Sequence, residues 1–366
     1  MSTHRRAVPL LALLLLSACA DHAAGSARDA GLDAAPDADA DTDTDTDTGA
    51  DADAAPDADA GPVFDVTLFV VGDPHCDPDV SADDLATVRA IDRAPAEAIW
   101  PAEIGGAETG FLGGPVGAPR GVLLAGDATG SGDVSPWSNE LATFRSLYEP
   151  GGADTVTWPV YVGLGNHDLD RTDLLADSYR QQMWEYVASR HAGAAAPVPV
   201  ASFDAASGDY SVDFDRVHVV QTHKWAGDTT HGHASGLDWL AADLAAHAAD
   251  GRPVVIVEHY GMDAFGTDGD WWSAADREAL HAAIASYDVV AIFAGHSHAA
   301  MMYLWDGIFV AQVNNTDAEV GEGNCDGNGS FAIVRITESR FELVTCRWLD
   351  EAGDFELVAP FYSKAL

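Results

Sequence analysis

Four short, almost wholly apolar runs limit this chain to few architectures: Val66–Val71, Val122–Ala125, Val254–Val257 and Val289–Phe293. Runs of this length mark strands buried on both faces, the kind that parallel sheets contain. Helical patterns separate several of them. Ser235 with Asp238 reads as a capping box ahead of Leu237, Leu240 and Leu244 on one face, and Ser273 with Asp276 repeats the device before Leu280 and Ile284. By contrast, Tyr210–His223, Met301–Asn314 and Phe331–Trp348 alternate or pair like antiparallel strands, the last turning tightly around Glu338. The pattern predicts an α/β protein with mixed sheets and helices packed on their faces.

Composition divides the 366 residues into three parts. Arg5 and Arg6 precede an apolar stretch from Ala7 to Leu16, and Leu16-Ser17-Ala18-Cys19 follows. This reads as a secretory signal whose apolar segment is too short to span a bilayer. Its last four residues resemble the lipobox of bacterial lipoproteins. That resemblance implies cleavage before Cys19, a membrane partner reached through lipidated Cys19, and a cell-envelope location facing the periplasm or the exterior, the outer membrane being favoured by Ala20. From Ala20 to Gly61 the chain is almost wholly Asp, Ala, Thr, Pro and Gly, with Asp-Ala-Ala-Pro-Asp-Ala-Asp-Ala at 33–40 and again at 53–60. Such a tract cannot bury a core and reads as a self-repelling tether. The expected organisation is a signal peptide over 1–18, a lipidated Cys and disordered tether over 19–62, and a folded domain over 63–366.

Charge excludes one class of partner. With 18 Lys+Arg against 59 Asp+Glu, the formal charge is −41, so no nucleic-acid-binding surface is expected. Four Cys in a chain of this length exclude a small disulfide scaffold. Cys325 and Cys346 flank the last hairpin and are candidates for a single disulfide, whereas Cys76, next to His75, reads as a buried thiol.

The informative polar residues sit where the apolar runs end. Asp73 and His75 follow the first in Gly-Asp-Pro-His, Asp127 follows the second in Ala-Gly-Asp, and Asn166, His167 and Asp168 follow Val160–Leu164 in Gly-Asn-His-Asp. His259 follows Val254–Val257, and His296 and His298 follow Val289–Phe293 in Gly-His-Ser-His. Five strands thus deliver carboxylates, an amide and imidazoles to their carboxyl ends, where α/β sheets bind ligands. Oxygen and nitrogen donors with no thiolate suit borderline or hard divalent metals. Gly72, Gly126, Gly165 and Gly295 are expected to allow the tight turns that present them.

The order Asp-x-His, Gly-Asp, Gly-Asn-His-Asp, His, Gly-His-x-His resembles the calcineurin-like metallophosphoesterase superfamily, which includes the purple acid phosphatases, over about residues 64–350. The resemblance implies a four-layer α/β/β/α sandwich of two mixed sheets flanked by helices. It implies two divalent or mixed-valence metal ions (Fe, Zn or Mn), one held by Asp73, His75, Asp127 and His298, the other by Asp127, Asn166, His259 and His296. His167 would then act on the phosphoryl group or the leaving oxygen, with Asp168 orienting it. Glu258 is the lesser choice for the position given to His259. The implied activity is an extracytoplasmic phosphoesterase that hydrolyses small-molecule phosphate esters by attack of metal-bound hydroxide, with a slight preference for monoesters. A phosphodiesterase acting on nucleotide or lipid head-group diesters is the alternative, and a non-catalytic surface lipoprotein stabilised by metal is a third reading.

Several residues stand outside this pattern. His231-Gly232-His233 lacks an apolar strand before it and reads as an exposed loop. His223 ends a strand and is either structural or close to substrate. Trp271-Trp272 reads as a pocket wall or as aromatic core.

Overall fold

The computed structural model describes residues 64–104, 107–262, 271–316 and 329–366. The stretches read as signal peptide and tether lie outside the described residues, as do Cys325 and most of the loop that carries it.

The chain enters through β1 (Asp65–Val71), crosses α1 (Ala82–Glu97) and a small ladder of β2 (Glu103–Ile104) and β3 (Ala107–Glu108), and reaches β4 (Val122–Leu124). A second small ladder, β5 (Val134–Ser135) and β6 (Ser138–Asn139), leads to α2 (Glu140–Tyr148), β7 (Val160–Tyr161), the single turn α3 (Asn166–Leu169) and α4 (Ala176–His191). The second half runs through β8 (Ser202–Phe203), β9 (Tyr210–Phe214), β10 (Val217–Gln221), α5 (Leu237–His247), β11 (Val254–Val257), α6 (Ala274–Ile284), β12 (Val289–Ala294), β13 (Met301–Trp305) and β14 (Ile308–Gln312). Three long strands close the chain: β15 (Ser330–Thr337), β16 (Arg340–Trp348) and β17 (Phe355–Ala365).

Two mixed sheets result. One has the order β17-β16-β15-β1-β4-β7, the other β13-β14-β12-β11-β10-β9-β8. In the first, β1, β4 and β7 run parallel, and β15 joins β1 antiparallel. In the second, β10, β11, β12 and β14 run parallel with antiparallel strands outside them. The period-two alternation of β11 shows how the layers stack: Val255 and Val257 join the core that β1 and β4 share, while Val254 and Ile256 pack with Leu240, Leu244, Leu280 and Ile284 of α5 and α6. Helix α1 closes the opposite side through Ala86, Ala90, Ile91 and Ala94. The four layers are helix, sheet, sheet and helix, and all four apolar runs are strands buried on both faces.

Helix starts depart from expectation in one place. Ser273 caps α6 by accepting the Asp276 N–H at 3.1 Å. Ser235 does not cap α5: the cap is Gly236, and Ser235 Oγ accepts only the Leu237 N–H at 3.3 Å. The complete capping box lies at Ser81 and Asp84 of α1, where hydroxyl and carboxylate exchange bonds with each other's backbone N–H at 3.0 and 2.8 Å. Among the described residues no helix is long and apolar enough to cross a membrane.

Candidate metal centre

Because β1, β4 and β7 run parallel in one sheet and β10, β11 and β12 in the other, the carboxyl ends of each group deliver their loops to one place. Those loops are knitted by backbone. The N–H groups of Asp73 and His75 donate to the carbonyls of Gly126 and Asp127 at 3.2 and 3.0 Å, and Gly295 N–H donates to His259 O at 3.0 Å. The His296 N–H donates to both oxygens of Asp73 at 2.9 and 3.0 Å.

The side chains are aimed by unusual backbone. Asp73, His75, Asp127, His296 and His298 have φ of 50, 47, 51, 68 and 49°, in the left-handed region that L residues rarely adopt. Such conformations cost of order 1 kcal/mol each and cluster at functional sites. The glycines serve differently from the sequence expectation. Of Gly72, Gly126, Gly165 and Gly295, Gly126 alone needs positive φ, at 97°. Gly165 is required for close approach, since a Cβ there would overlap Asp127 Oδ1 and the His259 ring.

Asp73, His75, Asp127, Asn166, His167, His259, His296 and His298 come together. His75 Nε2 lies 3.3 Å from Asp127 Oδ2, His259 Nε2 lies 3.2 Å from the same oxygen, and His298 Nε2 lies 3.7 Å from Asp73 Oδ1. Three sets of donor atoms each fall within 4.8 Å of one another: Asp73, His75 and His298; Asp127, His259 and His296; and His75, Asp127 and His167. Glu258 belongs to none of these sets. It is fully buried, both its oxygens lack partners among the described residues, and burial pushes its pKa well above the usual range.

The donor set fits metal ions on chemical grounds. His259 Nδ1 faces the Ala125 carbonyl at 2.9 Å; a carbonyl only accepts, so Nδ1 carries a proton and Nε2 is the atom turned to the cluster. Nε2 faces Asn166 Oδ1 at 2.8 Å and Asp127 Oδ2 at 3.2 Å, two acceptors that either a second ring proton or a cation must satisfy. His75 Nε2, Asp127 Oδ2 and His296 Nε2 are buried polar atoms without hydrogen bonds among the described residues. Asp73 and Asp127 are both wholly buried. Burial pushes the Asp73 carboxyl up to about 6. Burial also works against the Asp127 anion, yet His259 and His75 hold its carboxyl well below the usual range. For His259, burial opposes protonation, but Asp127 and Asp73 outweigh it and raise its pKa to about 9. Protons thus compete for a place that a cation fills better.

His167 and Asp168 have separate tasks. The His167 N–H donates to Asp127 Oδ1 at 2.8 Å, and His167 Nδ1 donates to the Gly130 carbonyl at 2.6 Å. Asp168 does not orient this ring, contrary to the sequence expectation. Its carboxylate accepts the N–H groups of Gly165, Ala128 and Thr129 at 2.9, 3.1 and 3.0 Å and the Thr129 hydroxyl at 2.7 Å. Four donors satisfy it, so it ties the Asp127 loop to the Asn166 loop instead.

His223 is structural: Nδ1 accepts the Leu164 N–H at 3.2 Å and Nε2 donates to Gly208 O at 2.9 Å, so the ring is neutral and buried. Trp272 is core, with Nε1 donating to Gly261 O at 2.9 Å, while Trp271 packs against His296 and Tyr260 beside the cluster. Among the described residues Cys76 and Cys346 are buried free thiols, Cys325 lying outside them. Sequence reasoning missed Asp170 and Lys224, which pair at 2.8 Å. The available signal was position: Asp170 falls one helical turn after Asn166, and Lys224 directly follows the strand-end His223.

The fold and this donor set define a metal-dependent phosphoric ester hydrolase. The family model described as calcineurin-like phosphoesterase matches residues 66–300, and the chain belongs to that family. Two solved structures share the fold. A dimetal phosphatase from Danio rerio is 13% identical with a TM-score of 0.50, the match covering 82% of this chain and 99% of that one. GAP50, the anchor in the inner membrane complex of Plasmodium, is 12% identical with a TM-score of 0.51, covering 82% and 88%. Among curated proteins the sequence finds no match.

Proposed function

We propose that this phosphoesterase is a binuclear phosphomonoesterase acting outside the cytoplasm and tethered to the cell envelope through lipidated Cys19. Asp73, His75, Asp127 and His298 would hold one ion, and Asp127, Asn166, His259 and His296 the second, Asp127 serving both. The observation that carries this reading is the convergence of unpartnered buried atoms, His75 Nε2, Asp127 Oδ2 and His296 Nε2, on one carboxylate. Oxygen and nitrogen donors suit Fe, Zn or Mn. When bound, the ions supply positive charge that polarises phosphoryl oxygens and acidifies water.

The protein's own residues do the rest. The His167 N–H occupies Asp127 Oδ1 and so leaves Oδ2 for the cluster. The Gly130 carbonyl fixes the proton of His167 on Nδ1, so Nε2 is the atom that exchanges a proton with the leaving oxygen. A cleft of about 540 Å3, lined by Asn166, His167 and Asp170, gives an ester access. Location rests on the signal and lipobox residues before Cys19, with residues 19–62 as tether and 63–366 as the enzyme. The monoester preference rests on that location, where released organic phosphates are met.

The test uses the full chain purified from membranes. Metal analysis should give two ions per chain, and an aryl monophosphate should be turned over faster than the matching diphosphoester. Cys19→Ser should move the protein from the membrane fraction to the soluble one. Faster diester turnover would replace the monoesterase reading, and one ion per chain would remove the binuclear one.

A further inference from the structure

We propose that the groove beside the metal cleft, reached across the Asp170–His231 pair, is the leaving-group subsite, and that it takes monoesters of hydroxyl-rich, flat-faced alcohols such as sugars or nucleosides. This rests on the monoesterase reading above.

Asp170 N–H donates to Asn166 O at 2.7 Å, so Asp170 stands one turn beyond a candidate metal ligand and on the same side of α3. Lys224, buried to 2% exposure, donates to both Asp170 oxygens at 2.8 and 3.0 Å and to Thr230 Oγ1 at 2.8 Å, which fixes the carboxylate. His231 Nε2 lies 3.1 Å from Asp170 Oδ1, with a third of its side chain exposed. Asp170 lines the cleft that holds His167; His231 lines a second groove, of about 500 Å3, with Gln181, Trp184, Glu185 and His233. The pair is the wall the two share.

The floor of this groove is set before any ligand arrives. His233 stacks on Trp184 with ring centroids 4.3 Å apart and planes 7° from parallel. Gly208, with φ of 76°, lets backbone lie against Trp184, where a Cβ would meet the ring at 2.8 Å, and its carbonyl is held by His223. A flat platform ringed by the amide of Gln181, the carboxylate of Glu185 and the imidazole of His231 matches a group with one apolar face and several hydroxyls. Glu185 leaves the lining net negative and disfavours an anionic leaving group, since the one arginine there, Arg180, is already paired with Asp177 at 2.8 Å. The His-Gly-His sequence is exposed, as its spacing suggests, and from there it forms one wall of the groove.

The test measures kcat and KM of the metal-loaded full chain on methyl phosphate, a hexose 6-phosphate and a nucleoside 5′-monophosphate. The wild type should prefer at least one hydroxyl-rich ester to methyl phosphate by about tenfold or more in kcat/KM. His231→Ala should cut that ratio about tenfold and Gln181→Ala about threefold, both through KM, with His231→Asn recovering part of the loss. Whichever ester shows the preference tells sugar from nucleoside. Hydrolysis of methyl phosphate with no preference, or a ratio unmoved by both alanine variants, overturns the subsite and leaves the monoesterase reading standing. Failure to hydrolyse any of the three, with a diphosphoester cleaved, overturns the monoesterase reading itself.

Discussion

At the scale of single residues, the adjacent pair His167 and Asp168 shows how far a motif carries information. Both stood out as candidates because they follow an apolar run inside Gly-Asn-His-Asp. Their division of labour was not, since it depends on Gly130, Ala128 and Thr129, some forty residues away, whose backbone groups carry no side-chain signal. The structure gives different outcomes for the two. Asp168→Ala strands three buried N–H groups and a hydroxyl, each costing about 1–3 kcal/mol when unsatisfied. A loss of roughly 3–5 kcal/mol is expected, lowering the thermal midpoint by about 5–15 °C. His167→Ala leaves that network intact, so its midpoint and metal content should match the wild type while turnover falls by about 10²–10⁴-fold. Calorimetry with metal analysis of both variants checks this; equal loss of stability in the two would end the distinction.

At the scale of elements, strand pairing was more legible than helix ends. Apolar runs of length four to six announce buried strands whatever surrounds them, whereas a cap depends on which residue turns first. Ser235 and Asp238 have the spacing of a capping box, yet the chain turns at Gly236. The apolar face that docks α5 on the second sheet was legible in Leu237, Leu240 and Leu244, but the polar part of that docking was not. That polar part runs through His218 of β10, buried between Asp213 of β9, 2.7 Å from Nδ1, and Asp243 of α5, 2.9 Å from Nε2. Ser211 donates to the other Asp243 oxygen at 2.9 Å, His247 Nε2 stands 3.8 Å from it, and Arg252 lies 3.6 Å from Asp213. Both nitrogens of His218 can donate only if the ring is an imidazolium. Burial opposes that charge, but the bonds to Asp243 and Asp213 outweigh it and raise the pKa. A raised folded-state pKa means stability that is complete below the unfolded value of about 6.5 and lost as pH climbs through the folded value. The wild type should therefore exceed His218→Gln in thermal midpoint most at pH 5–6, with the gap narrowing at alkaline pH. Paired melts from pH 5 to 9 give the answer, and a gap that widens with pH contradicts the imidazolium.

At the scale of the whole molecule, the two sheets are a frame that brings residues from 73 to 298 to one edge of the core. The convergence of these side chains was legible because each closely follows a strand, a place that sequence marks. The surrounding wall was not, because contacts such as Lys224 with Asp170 join a strand end to a helix end through a chance of layer packing that no local pattern encodes. The same frame makes metal binding part of the folding equilibrium. Two wholly buried carboxylates and several unpartnered imidazole nitrogens meet in the folded state and separate in the unfolded one, so ions that bind the folded state alone stabilise it by mass action. At free metal one hundred times the dissociation constant, each ion contributes about 2.7 kcal/mol. Stripping metal with a chelator should lower the thermal midpoint by several degrees, and adding Fe, Zn or Mn back should restore it together with phosphoesterase activity. Asp127→Ala, lacking the carboxylate that both donor sets approach, should melt at the same temperature with and without chelator. A wild type whose midpoint ignores removal of metal, verified by elemental analysis, would show that these side chains do not hold ions on which the fold depends.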